Sequence, residues 1–168
     1  MDPLPCKLPA HYGTMSLPER QLLLVEVRRQ AADLLEDGIV TASWDISTSR
    51  FGLGTEEGSF RTPTGRFRIC GKIGAGAPLW SIFKSRIPTG EIASLGGEED
   101  LILTRILWLE GLDSENANTR SRYIYFHGTN REDLIGTPAS HGCIRLRNAE
   151  MADLFERVEV GLPVEIRA

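Results

Sequence analysis

Hydrophobic residues along this chain fall mostly in short runs with a period of two, and only near the end with a helical spacing. Leu22-Leu23-Leu24-Val25-Glu26-Val27 is one apolar run and Ala31 to Glu36 a second, and Asp37-Gly38 after the second is a hairpin turn signal. Beyond it Val40, Ala42, Trp44 and Ile46 alternate with Thr41, Ser43, Asp45 and Ser47, which predicts a strand with one buried face. Further strands are expected at Arg66 to Cys70, Leu101 to Leu109, Tyr123 to Phe126 and Val164 to Arg167. The one well-marked helix begins at Asn148, read as its N-cap. It carries a stripe of Met151, Leu154, Phe155 and Val158, and Gly161 with Pro163 stops it. The segment from Gly74 to Asp100 holds seven glycines and prolines around Trp80 and Phe83 and ends in the acidic run Glu98-Glu99-Asp100; it reads as a long loop or flap. The expected architecture is mostly β, a sandwich or curled sheet with one or two short helices on it.

The first twenty residues contain four prolines and no continuous apolar stretch. They read as an irregular arm (1–20) before a single domain (21–168), not as a signal peptide. No stretch approaches the roughly 18 apolar residues of a membrane span. The expectation is a cytoplasmic protein, or a periplasmic one if a leader has been removed. At 168 residues with a net charge of -4, the chain is large enough for one core and lacks the basic footprint of a nucleic-acid binder. Neither nucleic acid nor membrane is expected as a partner. Cys6, Cys70 and Cys143 form no CxxC pair and are odd in number, so at least one thiol is free.

The chemistry concentrates in Tyr123-Ile124-Tyr125-Phe126-His127-Gly128-Thr129-Asn130 and Ser140-His141-Gly142-Cys143-Ile144-Arg145-Leu146. If the second piece is extended, His141, Cys143 and Arg145 share one face while Ile144 and Leu146 take the other. A thiol with an ordinary pKa of about 8.5 is mostly protonated at neutral pH, so a nucleophilic cysteine needs a base or a cation beside it. His127 and Arg145 are suitable. Gly142 permits a tight turn, and the amides around it are candidates to face a developing oxyanion. Cys70, in an alternating strand, reads as core, Cys6 and His11 as bystanders, and the tryptophans as packing. Thr62-Pro63-Thr64-Gly65 reads as a plain turn, and Glu98-Glu99-Asp100 as a solvated loop. His127, His141 and Cys143 are also three potential zinc ligands, an alternative that metal analysis would test.

The two motifs together resemble the signature of the L,D-transpeptidase catalytic domain (the YkuD-like fold), a histidine followed by Ser/Thr-His-Gly-Cys-x-Arg/Asn. Thr62-Pro63-Thr64-Gly65-x-Phe67 is similar to the turn and strand before the active-site half of that family, and the resemblance runs from about Gln21 to Arg167. It implies Cys143 as nucleophile and His127 as general base and acid, the latter oriented by the carbonyl of Gly128. It further implies that His141 shapes the thiol pocket, that Ser140 fixes the loop, and that Arg145 is the terminal polar residue of the motif. No cofactor and no metal are implied.

The implied reaction is acyl transfer at the L,D-bond between the third-position diamino acid and terminal D-alanine of a peptidoglycan tetrapeptide stem. In the cytoplasm the substrates are free muropeptides and water is the expected acceptor, making an L,D-carboxypeptidase of murein recycling. The alternatives are a transpeptidase forming 3-3 cross-links, a non-catalytic muropeptide-binding module, and a general Cys-His peptidase recognisable by cleavage of all-L peptides. Carbapenems are expected to acylate Cys143.

Overall fold

The computed structural model describes residues 21–168. The arm expected over 1–20, with Cys6 and His11, lies outside the described residues. Ten strands and one helix follow in the order β1 (Gln21–Glu26), β2 (Ala31–Glu36), β3 (Ile39–Asp45), β4 (Gly65–Ile73), β5 (Ser81–Lys84), β6 (Ile87–Ile92), β7 (Ile102–Gly111), β8 (Tyr125–Gly128), β9 (Ile144–Leu146), α1 (Asn148–Arg157) and β10 (Pro163–Arg167). Three single-turn 3-10 segments complete the set, so the expected mostly β, curled-sheet architecture with one helix is what the chain adopts.

The β2–β3 hairpin turns on Asp37 and Gly38, both left-handed at φ 53° and 78°, the pair of positive φ values that lets a two-residue turn match strand twist. The alternation of β3 buries Trp44 and, just past the strand, Ile46, but Val40 near its start is exposed because the hairpin tip projects beyond the core. The sheet runs β3-β2-β1-β10-β4-β7, with β1 beside β10 and β8 beside β9 as its parallel pairs. β4 and β5 take successive stretches of one edge of β7, opposite Ile106 to Gly111 and Ile102 to Leu103, while β8 takes the other edge. The curl then closes. Ser47, just after β3, exchanges backbone hydrogen bonds of 2.9 Å in both directions with Arg145 in β9.

Leu23, Val25, Trp44, Phe67, Ile69, Leu107, Leu109, Phe126, Ile144 and Leu146 meet Met151, Leu154 and Phe155 of α1 in the main core. Burying each large side chain of that helix stripe contributes roughly 1.5–3 kcal/mol. The helix start differs by one residue from the sequence reading. Arg147 is the N-cap, its carbonyl accepting from Met151 N, and the Asn148 N–H is satisfied by Glu132 Oε1 at 2.8 Å. The Asn148 side chain turns inward instead, donating to Thr129 O and Glu132 and accepting from Thr104 Oγ1 at 2.6 Å. The helix ends at Arg157, ahead of Gly161, and Pro163 opens β10.

The Gly74 to Asp100 segment also departs from the expected loop. It contains the β5–β6 hairpin, anchored by buried Phe83 and exposed at every residue of β6. With Pro88 and Gly90 in β6 and no buried face to alternate, the strand has no period-two signature to read.

Candidate active site

Pairing of β8 with β9 brings the two motifs together. Phe126 lies opposite Ile144, His127 opposite Arg145 and Gly128 opposite Leu146. Directly paired residues share a face, so Phe126, Ile144 and Leu146 feed the core while His127 and Arg145 stand side by side on the other side. A bulge in β7 between Leu103 and Ile106, with Thr104 at φ 70°, adjusts the neighbouring strand beside this pair. Gly128 has no room for a side chain, since a Cβ there would stand 2.3 Å from Asn148 Oδ1 and 2.9 Å from Leu103 O.

His127 is 2% exposed, and its Nδ1 lies 2.7 Å from Gly128 O. A carbonyl only accepts, so Nδ1 carries the proton and Nε2 keeps its lone pair. Burial also pushes the imidazole pKa below its ordinary value, partly opposed by the Asp100 charge and the Gly128 bond. The ring is therefore neutral at pH 7 and able to take a proton.

Cys143 precedes β9 on a turn where Gly142 adopts φ +119°, a conformation suited to glycine. Ser140 Oγ donates to Cys143 O at 2.6 Å and accepts from Gly142 N, and Thr62 Oγ1 donates to Gly142 O at 3.0 Å. The Thr62 turn thus has a second role, as a brace under the thiol. The Gly142 amide is engaged by Ser140 and is removed from the donors open to an oxyanion. The thiol donates toward Tyr123 O and accepts from Tyr125 N, each at 3.4 Å. Burial pushes its pKa up to about 12, against the opposing pull of the Tyr125 amide, Arg145 and Arg122. The resting pair is a neutral thiol and a neutral imidazole rather than a preformed ion pair. Both line one cleft of about 200 Å³ with Asp100, Ile102 and His141.

Arg145 does not present a free cation to that cleft. It is 2% exposed, donates to Asp100 Oδ1 at 2.8 Å and to Ser47 Oγ at 3.2 Å, and so serves to hold the loop around the thiol. His141, with 43% side-chain exposure, sets Nδ1 3.3 Å from the same carboxylate and Nε2 2.9 Å from Arg50, between the rings of Phe51 and Phe60. Arg50 can only donate, so His141 Nε2 accepts and Nδ1 bears the proton.

Asp100 is the residue the sequence reading missed. The acidic run is exposed as expected, but the Asp100 carboxylate turns back to pair with Arg145 and His141 and borders the thiol cleft. Burial pushes its carboxyl up, but attraction to His127 and Arg145, with their hydrogen bonds and that of His141, leaves it below the usual carboxylate range. No charge pattern distinguishes it from Glu98 and Glu99; only the return of the loop to β7 does. Among the described residues no three His, Cys, Asp or Glu side chains converge as a metal site, so the zinc reading finds no geometric support. Cys70 is buried in a second cluster with Phe83, Ile106, Trp108 and Tyr125.

A curled sheet that lines one cleft with a thiol and a neutral, backbone-oriented imidazole defines a domain suited to thiol-based acyl transfer. The YkuD model, described as the L,D-transpeptidase catalytic domain, matches residues 20–166, and the chain belongs to that family. YqjB of Bacillus subtilis (strain 168), which carries an L,D-transpeptidase name, is 30% identical over 92% of this chain and 75% of its own length. YbiS of Escherichia coli (strain K12), with a name of the same kind, is 50% identical over 26% of this chain and 14% of its own. Two solved structures share the fold. The L,D-transpeptidase from Xylanimonas cellulosilytica superposes at TM-score 0.59 with 21% identity, over 88% of this chain and 60% of that one. L,D-transpeptidase 3 from Mycobacterium tuberculosis, bearing a faropenem-derived adduct, gives 0.58 with 16% identity, over 89% and 60%. The chain thus spans less than two thirds of these solved relatives.

Proposed function

We propose that this domain cleaves the L,D-peptide bond of peptidoglycan tetrapeptide stems by acyl transfer through Cys143, with water as the favoured acceptor. The observation that carries the reading is the shared cleft of Cys143 and a His127 whose Nε2 is left unprotonated by the Gly128 carbonyl. As the thiol attacks the carbonyl of the third stem residue, His127 Nε2 takes its proton, so thiolate forms only as the new C–S bond does. The oxyanion collapses, the C–N bond breaks, and His127 returns the proton to the departing D-alanine amine. Water then attacks the thioester, giving up its proton to His127, and the tripeptide leaves as its carboxylic acid while the thiol is restored.

Two features favour water. The thiol cleft of about 200 Å³ and the cavity of about 300 Å³ next to it match one peptide chain better than two. Free muropeptide amines also compete with water at about 55 M, so an amine wins the thioester only if a groove holds it in place. The cytoplasmic location expected from the sequence is part of the same proposal. The names of the relatives favour a second reading, 3-3 cross-linking, in which the amine of a neighbouring stem opens the thioester. Mass spectrometry of products from a disaccharide-tetrapeptide, with and without a second stem, decides between them. Tripeptide plus D-alanine is the expected result, and dimers as the major product would reverse the acceptor assignment. The faropenem-derived adduct on one structural relative suggests a parallel test, since a β-lactam of the penem or carbapenem class should add once per chain, at Cys143.

A further inference from the structure

A second cavity, of about 300 Å³, meets the thiol cleft at His141 and is lined by Glu57, Phe60, Arg122, Tyr123 and Ile124 among others. Arg122 immediately precedes the residue whose carbonyl accepts from the Cys143 thiol. Its guanidinium donates to Gly54 O at 3.2 Å, Arg61 O at 2.7 Å and Ser59 Oγ at 3.5 Å, all neutral acceptors. Glu57 attracts it without forming an ion pair. Arg122 and Arg145 are the two cations that pull on the Cys143 pKa, while Arg86 stands over the Trp108 and Tyr123 rings and Arg50 bonds His141. Arg145 is paired with Asp100, and Arg50 sits with Glu98, Glu99 and Asp100 around a different cavity. We infer that Arg122 is the carboxylate-recognising residue of this cavity and binds the free α-carboxylate of the residue that leaves when the thiol attacks.

The inference rests on the acyl-transfer reading and gives it a substrate rule. In an amino acid whose nitrogen lies in the scissile bond, the carboxylate is attached to the adjacent carbon. A guanidinium positioned by three acceptors of the 54–61 loop, which take three of its five N–H donors, lies one residue from a thiol contact and keeps the other two for that group. The other cavity that reaches His141 has Glu98, Glu99 and Asp100 in its lining beside Arg50, Arg131 and Arg145, so its cations are offset by carboxylates. A pentapeptide stem would offer Arg122 a neutral amide and a further residue instead, so tetrapeptides are cleaved and pentapeptides are not. Partial burial pushes the Arg122 pKa down, and the guanidinium in turn favours the Cys143 thiolate, as expected of an unneutralised charge close to the thiol.

Two measurements on the intact protein test this. In the first, iodoacetamide labels Cys143 in the presence of N-acetyl-D-alanine or its amide, with labelling of that residue read by peptide mass mapping. The acid should protect and the amide should not, and Arg122→Gln should abolish the protection. Equal protection by acid and amide, or none by either, overturns the carboxylate site; protection that survives in R122Q assigns it to another residue. The wild-type comparison needs no variant, so loosening of the 54–61 loop in R122Q cannot imitate the result. In the second, turnover of a tetrapeptide stem is compared with that of its C-terminal amide, and the acid should be favoured about 10- to 100-fold in kcat/KM, the range of a hydrogen bond to a charged group. Selective protection without cleavage of either peptide would leave the carboxylate site standing and remove the proposed reaction. Cleavage of both at equal rates would keep the reaction and remove the site.

Discussion

Every residue of β8 and β9 is buried, and the polar side chains they carry are held by neighbours, His127 by Gly128 O and Arg145 by Asp100 and Ser47. The β5–β6 flap beside them is the reverse, with β6 exposed throughout and the hairpin fixed by Phe83 inside the core and Arg86 at its tip. The strands are over-determined, whereas in the flap only β5 is paired with β7 and the outer strand β6 rests on β5 alone. Such a division suits a site in which the reacting groups must stay within tenths of an ångström while substrate enters past something that yields. Asp100 joins the two, ending the flap segment yet pairing with Arg145 and His141.

The sharpest test of the contrast lies in the two described thiols. Cys143→Ala should abolish turnover while the thermal midpoint stays near that of the parent, because the thiol is a small, part-exposed group at the edge of the second cluster with two long 3.4 Å contacts to backbone groups. Cys70→Ala should keep activity and lose stability through a small core cavity, by about 1–2 kcal/mol. An active Cys143→Ala variant would remove the covalent mechanism. An inactive but folded Cys70→Ala variant would mean that the wrong thiol had been assigned.

Next in size is His127→Ala, expected to lower kcat by about 10²–10⁴-fold with little change in KM, since a base acts in the transition state. The same residue sets the pH response. Burial holds the His127 pKa below its ordinary value, so the ring is the free base at neutral pH and is protonated only on acidification. Activity should therefore be level through pH 7 and fall on an acid limb lying below about pH 6.5. A limb centred above pH 7 would contradict the neutral pair, because it would require an imidazolium stabilised in the resting site.

How far the sequence shows each region follows from the range of the interactions that shape it. The strands of the scaffold are visible because alternation is local, and Asp37-Gly38 is visible because a two-residue turn needs particular φ values. Cys143, His127, Ser140 and Gly142 are visible because the proposed nucleophile, its proposed base and their turn are written within a few residues of each other in two motifs. The flap is not, because its strands are short, exposed and interrupted by Pro88 and Gly90. Asp100 is not, because its partners Arg145 and His141 lie 45 and 41 residues away and its neighbours are equally acidic. Asn148 shows the same limit at the helix start. Its type fits a cap, but buried Thr104 and Thr129 offer its side chain better partners than the helix amides do.

Asp100→Asn probes the joint between the regions, with a smaller expected effect. An amide keeps an oxygen for Arg145 but no charge, so stability should drop by about 1–3 kcal/mol through the weakened buried guanidinium. The electrostatic effect has the same sign on the two reacting groups. The Asp100 charge raises both the His127 and the Cys143 pKa, so its removal should move the acid limb to lower pH and make the thiol easier to ionise. Iodoacetamide labelling of Cys143 at fixed pH should then be faster than in the parent, and slower labelling would show that loosening of the loop outweighs the charge.

The smallest effect belongs to the flap itself. Arg86, in the β5–β6 turn, lies 5.0 Å from the ring centre of Trp108 and 4.9 Å from that of Tyr123, and donates to Tyr125 Oη at 3.2 Å. Trp108 and Tyr123 stack at 5.9 Å, and Tyr123 holds a left-handed φ of 56° while its carbonyl accepts from the thiol. Arg86→Ala removes one partly exposed cation from this stack, a contact worth about 0.5–1 kcal/mol, and the buried Phe83 anchor remains. The global midpoint should hardly move, amide exchange should quicken in β5 and β6 but not in β8 and β9, and turnover should change only a few-fold. If Arg86→Ala instead lowered kcat as far as His127→Ala while leaving the fold intact, the flap tip would have to be counted with the strands. The stack would then be setting the Tyr123 carbonyl against the thiol rather than tethering a cover, and the division between a rigid site and a yielding flap would fail at that residue.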